Sequence, residues 1–347
     1  MNTSDSGGGI SRRDVLRTTG TGLALGTTGL AGCLGSDEIE ELTVAYMPIY
    51  PDMQQFVMQE EGYFEEFSVP VDAREFSDGP SIVQAYASGE IDVGLFGIVP
   101  SMIVIDRGIE AKVVAANIKE PMMIMADERL RELWDDHGPE AFARYEEETG
   151  RTFRFGTFPE GSVPDILLRY WLSDVHDLTP GEDVEITEIG GANAVWQAMA
   201  NEEIDGTSIM EPVPTIAKEE GSPIDTLAIA SEFMPGQPAA VALMSDAVRD
   251  HEVGEEFLAA HVRATEFIDE EPDRTAEHAS TVIGASSLPV ERARAALDSP
   301  LSNFVSDPRE IESGTEIFAE YAHELGRTDE RLSLEEIFDY DLYESVR

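Results

Sequence analysis

The sequence predicts an α/β protein built of two lobes, and three observations carry that expectation. Short β-rich runs alternate with helical segments from residue 42 to residue 229, the spacing of βαβ units around a mainly parallel sheet. A twelve-residue block recurs: Ser81–Asp92 and Ala194–Asp205 share six identical residues at an offset of 113. From Asp246 onward the pattern changes to helices alone.

The elements follow in order. Strands are expected at Leu42–Tyr46, Val69–Phe76, Ile91–Phe96, Ala111–Ile118 and Pro121–Ala126, each a run of apolar and β-branched residues. Between them lie helices at Asp52–Glu61, Ser81–Ser88 (with Pro80 in its first turn) and Val99–Arg107. A charged helical stretch, Asp127–Thr149, separates this half from a second one. There the pattern restarts: strand Arg154–Phe158, helix Val163–Val175, strand Val184–Glu188, helix Ala192–Ala200, strand Gly206–Met210, helix Pro214–Glu220 and strand Thr226–Ile229. The tail reads as helices at Val253–Ile268, Arg274–Ile283, Val290–Asp298 and Pro308–Leu325. In each copy of the repeat a helix with a small alanine face leads through a turn to Ile-Asp and the start of a strand. Two such halves joined by connecting strands make lobes able to close on something between them.

Composition narrows the function. The formal charge is −47, from 70 acidic and 23 basic residues, and only Lys112, Lys119 and Lys218 are lysines. This much like charge opposes compaction in dilute buffer. Molar salt shortens the Debye length to about 3 Å and screens it, so the composition predicts a halophile's protein. Disorder is excluded because acidic residues are dispersed among periodic segments and 42% of residues are hydrophobic. No basic face offers itself to phosphates, so nucleic acid is not an expected partner. Cys33 is the single cysteine, which rules out a disulfide framework or a cysteine metal site. The six histidines show no H-x-x-x-H spacing, and neither a G-x-S-x-G elbow nor a P-loop is present. No metal, cofactor or catalysis is expected.

The N-terminal residues read as an address. Ser11-Arg12-Arg13-Asp14-Val15-Leu16 resembles the twin-arginine export consensus. A weakly apolar stretch from Thr18 to Leu30 follows, too short to span a bilayer. Leu30-Ala31-Gly32-Cys33 then resembles a lipobox, which implies cleavage before Cys33 and lipid on its thiol. Residues 1–33 are therefore expected to be a signal peptide, and 34–41 an acidic tether. The mature protein would sit on the outer face of the cytoplasmic membrane, held by two acyl chains.

Further motifs carry a family likeness. Leu42–Pro48 opens the fold, followed by Glu60-Glu61-Gly62-Tyr63-Phe64, Ser77-Asp78-Gly79-Pro80-Ser81 and Ala87-Ser88-Gly89-Glu90-Ile91-Asp92-Val93-Gly94. Gly97-Ile98-Val99-Pro100-Ser101, Ile204-Asp205-Gly206 and Glu211-Pro212 come later. Their order resembles the solute-binding proteins of ABC importers for nitrate, sulfonates, taurine and thiamine-pyrimidine precursors. The resemblance implies a type II periplasmic-binding-protein fold, with two α/β lobes around a ligand cleft and a helical C-terminal segment. It implies a monomer that captures a small organic or oxyanionic solute and delivers it to a permease and its ATPase. Residues 42–120 with 236–347 would form lobe one, and 121–235 lobe two.

Ligands of open α/β sheets sit at the carboxyl ends of strands, beside helix N-termini, which selects the candidate contacts. Tyr50 follows the first strand and offers a ring and a hydroxyl; alternatively it is wedged at a proline turn. Ser77, Gly79 and Ser81 follow the second strand and favour an anion at a helix N-terminus, while Asp78 fits a helix cap better than a ligand contact. Phe96 and Gly97 follow the third strand, as pocket wall and point of close approach; Phe96 is equally suited to the core. Asn117 ends the fourth, where its amide serves a ligand or its own turn. In the second half, Phe158 and Ser162 lie in the corner Thr157–Ser162, where Ser162 serves a ligand or only caps its helix; Asn193 follows Gly190-Gly191, a pair that also suits a plain turn; and Glu211 follows Gly206–Met210, where a carboxylate suits a ligand amine or the helix dipole alone. No arginine lies within these corners, whereas Asp78, Glu160 and Glu211 do. That distribution points away from a fully charged oxyanion, which attracts the arginine fork, and toward a neutral or amine-bearing solute.

Two other functions fit the same sequence. A lipid-anchored sensor handing its loaded form to a signalling receptor also needs a closing cleft. A pyrimidine-precursor synthase would share the fold branch, but the cysteine-rich motif of such enzymes is missing.

Overall fold

The computed structural model describes residues 39–347. Arg12, Arg13, Cys33 and most of the tether lie outside the described residues. The strands are β1 Leu42–Tyr46, β2 Val71–Glu75, β3 Val93–Gly97, β4 Ala111–Ala116, β5 Met122–Ala126, β6 Phe153–Thr157, β7 Val184–Glu188, β8 Gly206–Met210, β9 Asp225–Ile229 and β10 Ala240–Ser245. The helices of the first half are α1 Met53–Glu60, α2 Gly79–Ser88 and α3 Ile98–Asp106. Those of the second are α4 Glu128–His137, α5 Ala141–Thr149, α6 Val163–Tyr170, α7 Gly191–Ala200, α8 Val213–Glu219 and α9 Ala230–Phe233. The tail supplies α10 Asp246–Arg249, α11 Glu252–Glu270, α12 Pro272–Ile283, α13 Val290–Leu297, α14 Glu312–Glu324, α15 Leu334–Ile337 and α16 Tyr340–Val346.

The strands form two five-stranded sheets, ordered β2-β1-β3-β10-β4 and β7-β6-β8-β5-β9. This is the expected two-lobed α/β fold. In the first sheet β1 runs parallel to β2 and β3, while β10 is antiparallel to both β3 and β4. In the second β6 runs parallel to β7 and β8, while β5 is antiparallel to β8 and β9. Each sheet thus contains one reversed strand, and that strand is the one the chain enters on arriving from the other lobe.

The reversal places the binding edge. β4 leaves the first sheet at its carboxyl edge and reaches the start of β5 after residues 117–121 alone. Five residues span at most about 20 Å. β5 starts at the carboxyl edge of the second sheet, because it runs against β8. The return crossover, residues 230–239, likewise joins the carboxyl end of β9 to the start of β10 beside Gly97. The two carboxyl edges therefore face one another across the crossovers, which pair with each other: Lys119 bridges Pro238, and the Glu120 N–H donates to the Gln237 carbonyl at 2.8 Å.

The repeat has a shared structural task. Asp92 accepts a hydrogen bond from the Thr43 N–H on β1 at 2.8 Å, and Asp205 accepts one from the Arg154 N–H on β6 at 3.0 Å. Each carboxylate ties the loop before a strand to the neighbouring first strand. Gly89 ends α2 at φ 70°, and Glu202 takes the same left-handed conformation at φ 57° in the second copy.

Asp205 does more than its counterpart. It receives Arg151 Nη2 at 2.8 Å, Arg154 Nη2 at 3.0 Å and Arg154 Nε at 3.1 Å. Burial works against its ionisation, but the hydrogen bonds from Arg151 and Arg154 outweigh it and hold the carboxyl below the ordinary carboxylate range. A depressed carboxyl contributes stability above its unfolded value near 4, and that contribution disappears as pH falls through the folded value. Urea midpoints at constant molar salt are therefore expected to fall more steeply below about pH 4 in the wild type than in Asp205→Asn. Parallel pH profiles would contradict the assignment.

Packing fills the lobes with aromatic rings. Phe142, Phe153, Phe155 and Trp171 are all buried and meet ring to ring at 4.8 to 6.4 Å. The C-terminal helices lie mainly on lobe one, where α11 and α12 pack on α1. They also reach lobe two through α13 on α8 and α14 on α6. Among the described residues no helix is long and apolar enough to cross a membrane.

Candidate functional site

Tyr50 follows β1 in one sheet and Glu211 follows β8 in the other, and both reach the segment Ser299–Ser302. Tyr50 opens a short 3-10 turn, Tyr50–Asp52, whose φ is set by Pro51, and its ring lies 5.7 Å from Phe304. The Ser302 hydroxyl donates to the Ala296 carbonyl at 2.7 Å, so its one proton is used. Tyr50 must therefore be the donor in the 2.8 Å contact between Tyr50 Oη and Ser302 Oγ. Burial drives the Tyr50 hydroxyl upward, the Ser302 bond opposes it, and the Glu211 charge adds to the rise. Glu211 is 5% exposed, and its Oε2 accepts the Thr215 N–H of α8 at 3.2 Å. Burial raises its carboxyl above the usual range, against hydrogen bonds from Thr215 and Ser299. The segment Ser299–Ser302, between α13 and the crossovers, thus touches both residues.

The corner before α6 lies at the carboxyl end of β6. Thr157 and Ser162 carry hydroxyl oxygens that are buried and without a hydrogen-bond partner among the described residues. Ser208 on β8 has the same status. The pairing of Gly156 with Thr207 sets Thr157 beside Ser208 on one face of the sheet. In the other lobe, both ends of the Gln55 amide, in the first turn of α1, are buried and likewise unpartnered. Buried polar groups are rarely left unbonded, so these four side chains suit contact with a bound polar molecule or water.

The remaining sequence candidates have other occupations. The Ser81 N–H and hydroxyl both donate to Asp78 Oδ1 at 2.8 Å, and Ser77 donates to Asp78 Oδ2 at 2.9 Å. Asp78 is the cap of α2, held below the usual range by these bonds. A Cβ on Gly79 would lie 2.9 Å from Pro100 Cγ, so this glycine serves the contact between α2 and α3. Phe96 is fully buried and stacks on Tyr86 at 6.1 Å. Gly97 sits at the strand end opposite Ala240. Phe158 is half-buried against the small core of lobe two, and Asn193 is exposed on α7.

Asn117 is wholly committed within the protein. Its Nδ2 donates to Asp52 Oδ1 at 3.1 Å, and its Oδ1 faces His261 Nε2 at 3.0 Å. Asp52 and His261 are fully buried; burial raises the Asp52 carboxyl and pushes His261 down to about 3.

Arginine does approach one corner, which the sequence order concealed. Arg327, beyond α14, lies so close over Gly161 that an added Cβ would fall 2.5 Å from its Nε. Its Nη2 donates to Glu160 at 2.6 Å, and Arg169 stands 3.6 Å from the same carboxylate while bonding Asp165 at 2.9 Å. Glu160 thus pairs with Arg327 and Asp165 with Arg169. Gln55, Thr157, Ser208, Ser299, Ser302 and Arg327 were all absent from the sequence candidates. The adjacent Gln54-Gln55 in an otherwise apolar helical turn was the one local signal available.

Comparison with known proteins agrees with this geometry. Residues 35–284 match a family model described as NMT1-like. A binding protein of Brucella abortus is 26% identical over 241 residues, 68% of this chain and 68% of its own. Among solved structures, the periplasmic aliphatic sulphonate binding protein of Escherichia coli superposes with a TM-score of 0.68 at 17% identity, covering 87% of this chain and 92% of its own. The periplasmic nitrate-binding protein of Synechocystis gives 0.69 at 15% identity, covering 89% and 88%. The ligand-binding component of an ABC-type import system from Staphylococcus aureus gives 0.68 at 16%, covering 89% and 99%. All four are named as binding proteins or ligand-binding components.

Proposed function

Because the chain belongs to the NMT1-like family, we propose that it is the extracytoplasmic solute-binding protein of an ABC importer. It captures a small solute between two lobes and presents it to the permease. The observation that carries this reading is that Tyr50 of one lobe and Glu211 of the other, both buried, bond the same short segment, Ser299–Ser302, while Gln55, Thr157, Ser162 and Ser208 keep buried polar atoms without partners among the described residues. Lobe one comprises residues 42–120 with 236–347, and lobe two residues 121–235. Solute binds one lobe, the crossovers bend, and the other lobe completes the contacts. Only a higher affinity for the closed state drives that step.

The contact set is Tyr50, Gln55, Thr157, Ser162, Ser208 and Glu211. It favours a solute that carries an amine or N–H donor for Glu211 and a planar face for Tyr50. The neighbouring arginines, Arg169 and Arg327, are already paired with carboxylates. A thermal-shift screen in molar salt across sulfonates, nitrate, pyrimidines, amino-pyrimidine precursors and flavins tests the reading. A solute at 100 times its Kd adds about 2.7 kcal/mol. Stabilisation by an N–H-bearing compound supports the assignment, and stabilisation by nitrate or sulfonates alone refutes it.

Export through the twin-arginine signal and lipid on Cys33 complete the proposal, with the acidic surface adapted to molar salt. In a halophilic host, wild-type protein is expected in the membrane fraction and Cys33→Ser in the medium. Retention of the variant on membranes would rule out the anchor.

A further inference from the structure

We propose that His261, Asn117 and Asp52 form a directed hydrogen-bond relay that positions the Tyr50 corner of the cleft against the first crossover. It rests on the reading of that cleft as the solute site.

Asn117 supplies the direction. Asp52 Oδ2 accepts the Met47 N–H at 3.3 Å and its Oδ1 accepts Asn117 Nδ2 at 3.1 Å, so the carboxylate receives two donors. With the Asp52 carboxyl ionised, the Asn117 amide turns its oxygen toward His261, and His261 donates to it from Nε2 across 3.0 Å. This leaves a neutral imidazole whose Nδ1 is bare, in keeping with the absence of any partner for that atom among the described residues. The three side chains are each fully buried, and they belong to α11, the crossover and the first corner.

Every other polar group of Asn117 is also engaged. Its N–H donates to the Ala240 carbonyl at 3.1 Å, and its carbonyl accepts Gln54 Nε2 at 2.7 Å and the Val305 N–H at 3.2 Å. Gln54 Nε2 also reaches Thr265 Oγ1 at 3.2 Å, and Thr265 donates to the His261 carbonyl at 3.0 Å. The network thereby closes on itself through α1 and α11.

The Asp52 carboxyl has no ion-pair partner among the described residues, and an apolar replacement of similar volume would relieve its burial. Bonded buried networks instead fix one arrangement, and among the described side chains of this one only Gln54 Oε1 and His261 Nδ1 are without a partner. Here that arrangement locks Asn117 to lobe one, two residues beyond Tyr50 at its Asp52 end. Bending is left to Ile118–Pro121. Glu120 lies there in the left-handed region at φ 55°, and its side chain accepts the Gly236 N–H of the other crossover at 2.6 Å.

The test uses amide hydrogen exchange on the full chain in molar salt, with no solute needed. His261→Leu is expected to speed exchange of residues 47–52 and 117–121 roughly tenfold, the loss of about one buried hydrogen bond. Strand β7, in the other lobe, keeps its protection. His261→Gln, whose amide can donate to Asn117, restores slow exchange. Equal rates in the Leu and Gln variants, or uniform acceleration across the chain, would overturn the relay. Imidazole nitrogen shifts of the wild-type protein provide a check independent of variant folding. The relay requires an Nε2–H tautomer unchanged between about pH 5 and 8, and an Nδ1–H or titrating ring would refute it. Because neither measurement involves a ligand, failure here leaves the solute-binding reading standing, and failure of the screen leaves the relay standing.

Discussion

Phe155→Ala is expected to destabilise the protein by about 3–5 kcal/mol, enough to remove a large share of the stability of a typical domain. Phe155 is fully buried on β6 and touches Phe153 at 4.8 Å, Phe142 at 5.9 Å and Trp171 at 6.4 Å, mostly edge to face. Truncation loses the transfer free energy of the ring and also three aromatic contacts worth about 0.5–1.5 kcal/mol each beyond area. The cavity cannot collapse easily. Gly206 on the adjacent strand already lies so near that an added Cβ would be 2.9 Å from both Phe153 and Phe155 and 2.5 Å from the Met125 carbonyl. Urea unfolding at constant molar salt measures the loss, since guanidinium chloride would itself change the screening. A loss below about 1 kcal/mol would show that the rings are not the organising core of lobe two.

Glu211→Ala is expected to weaken binding of the solute identified by the screen by about 30-fold or more, the scale of leaving a buried donor on the ligand unpaired. Asp78→Ala is expected to leave affinity nearly unchanged and to lower stability by about 1 kcal/mol, the value of a helix cap. The contrast follows from placement. Both are carboxylates at strand ends, but Glu211 is 5% exposed, whereas Asp78 is exposed and saturated by Ser77 and Ser81. Calorimetry on the two variants separates them, and equal affinities would remove Glu211 from the contact set.

The same contrast explains what the sequence could and could not disclose. Strand positions were legible because the largely apolar run Leu42–Tyr46 and the alternating β-branched Val184–Glu188 stand between helical periods. β10 was not, because Ala240-Val241-Ala242-Leu243-Met244 is composed largely of helix formers. Only its place between β3 and β4 makes it a strand. The stretch Asp127–Thr149 divides into α4 and α5 at Gly138-Pro139, where Gly138 takes φ 58°. The helix expected over Val163–Val175 continues past Tyr170 as a π-helical turn, Trp171–Val175.

For the site, the sequence pointed to strand-end corners, while the bonds their side chains make came only from the fold. Period-two alternation turns Phe96 inward, and the demand for buried hydrogen bonds absorbs Asn117 into the core. Ser302 bonds Tyr50 across 252 positions, a separation at which no local pattern links two residues. Arg327 reaches Gly161 in the same non-local way.

Small-angle X-ray scattering of the soluble chain in molar salt, with and without the solute from the screen, tests most directly whether the lobes close on a ligand. The saturated protein is expected to approach a radius of gyration of about 19 Å, that of a compact body of this length, from a larger unliganded value. Superimposable curves in the presence and absence of a saturating solute would contradict the account.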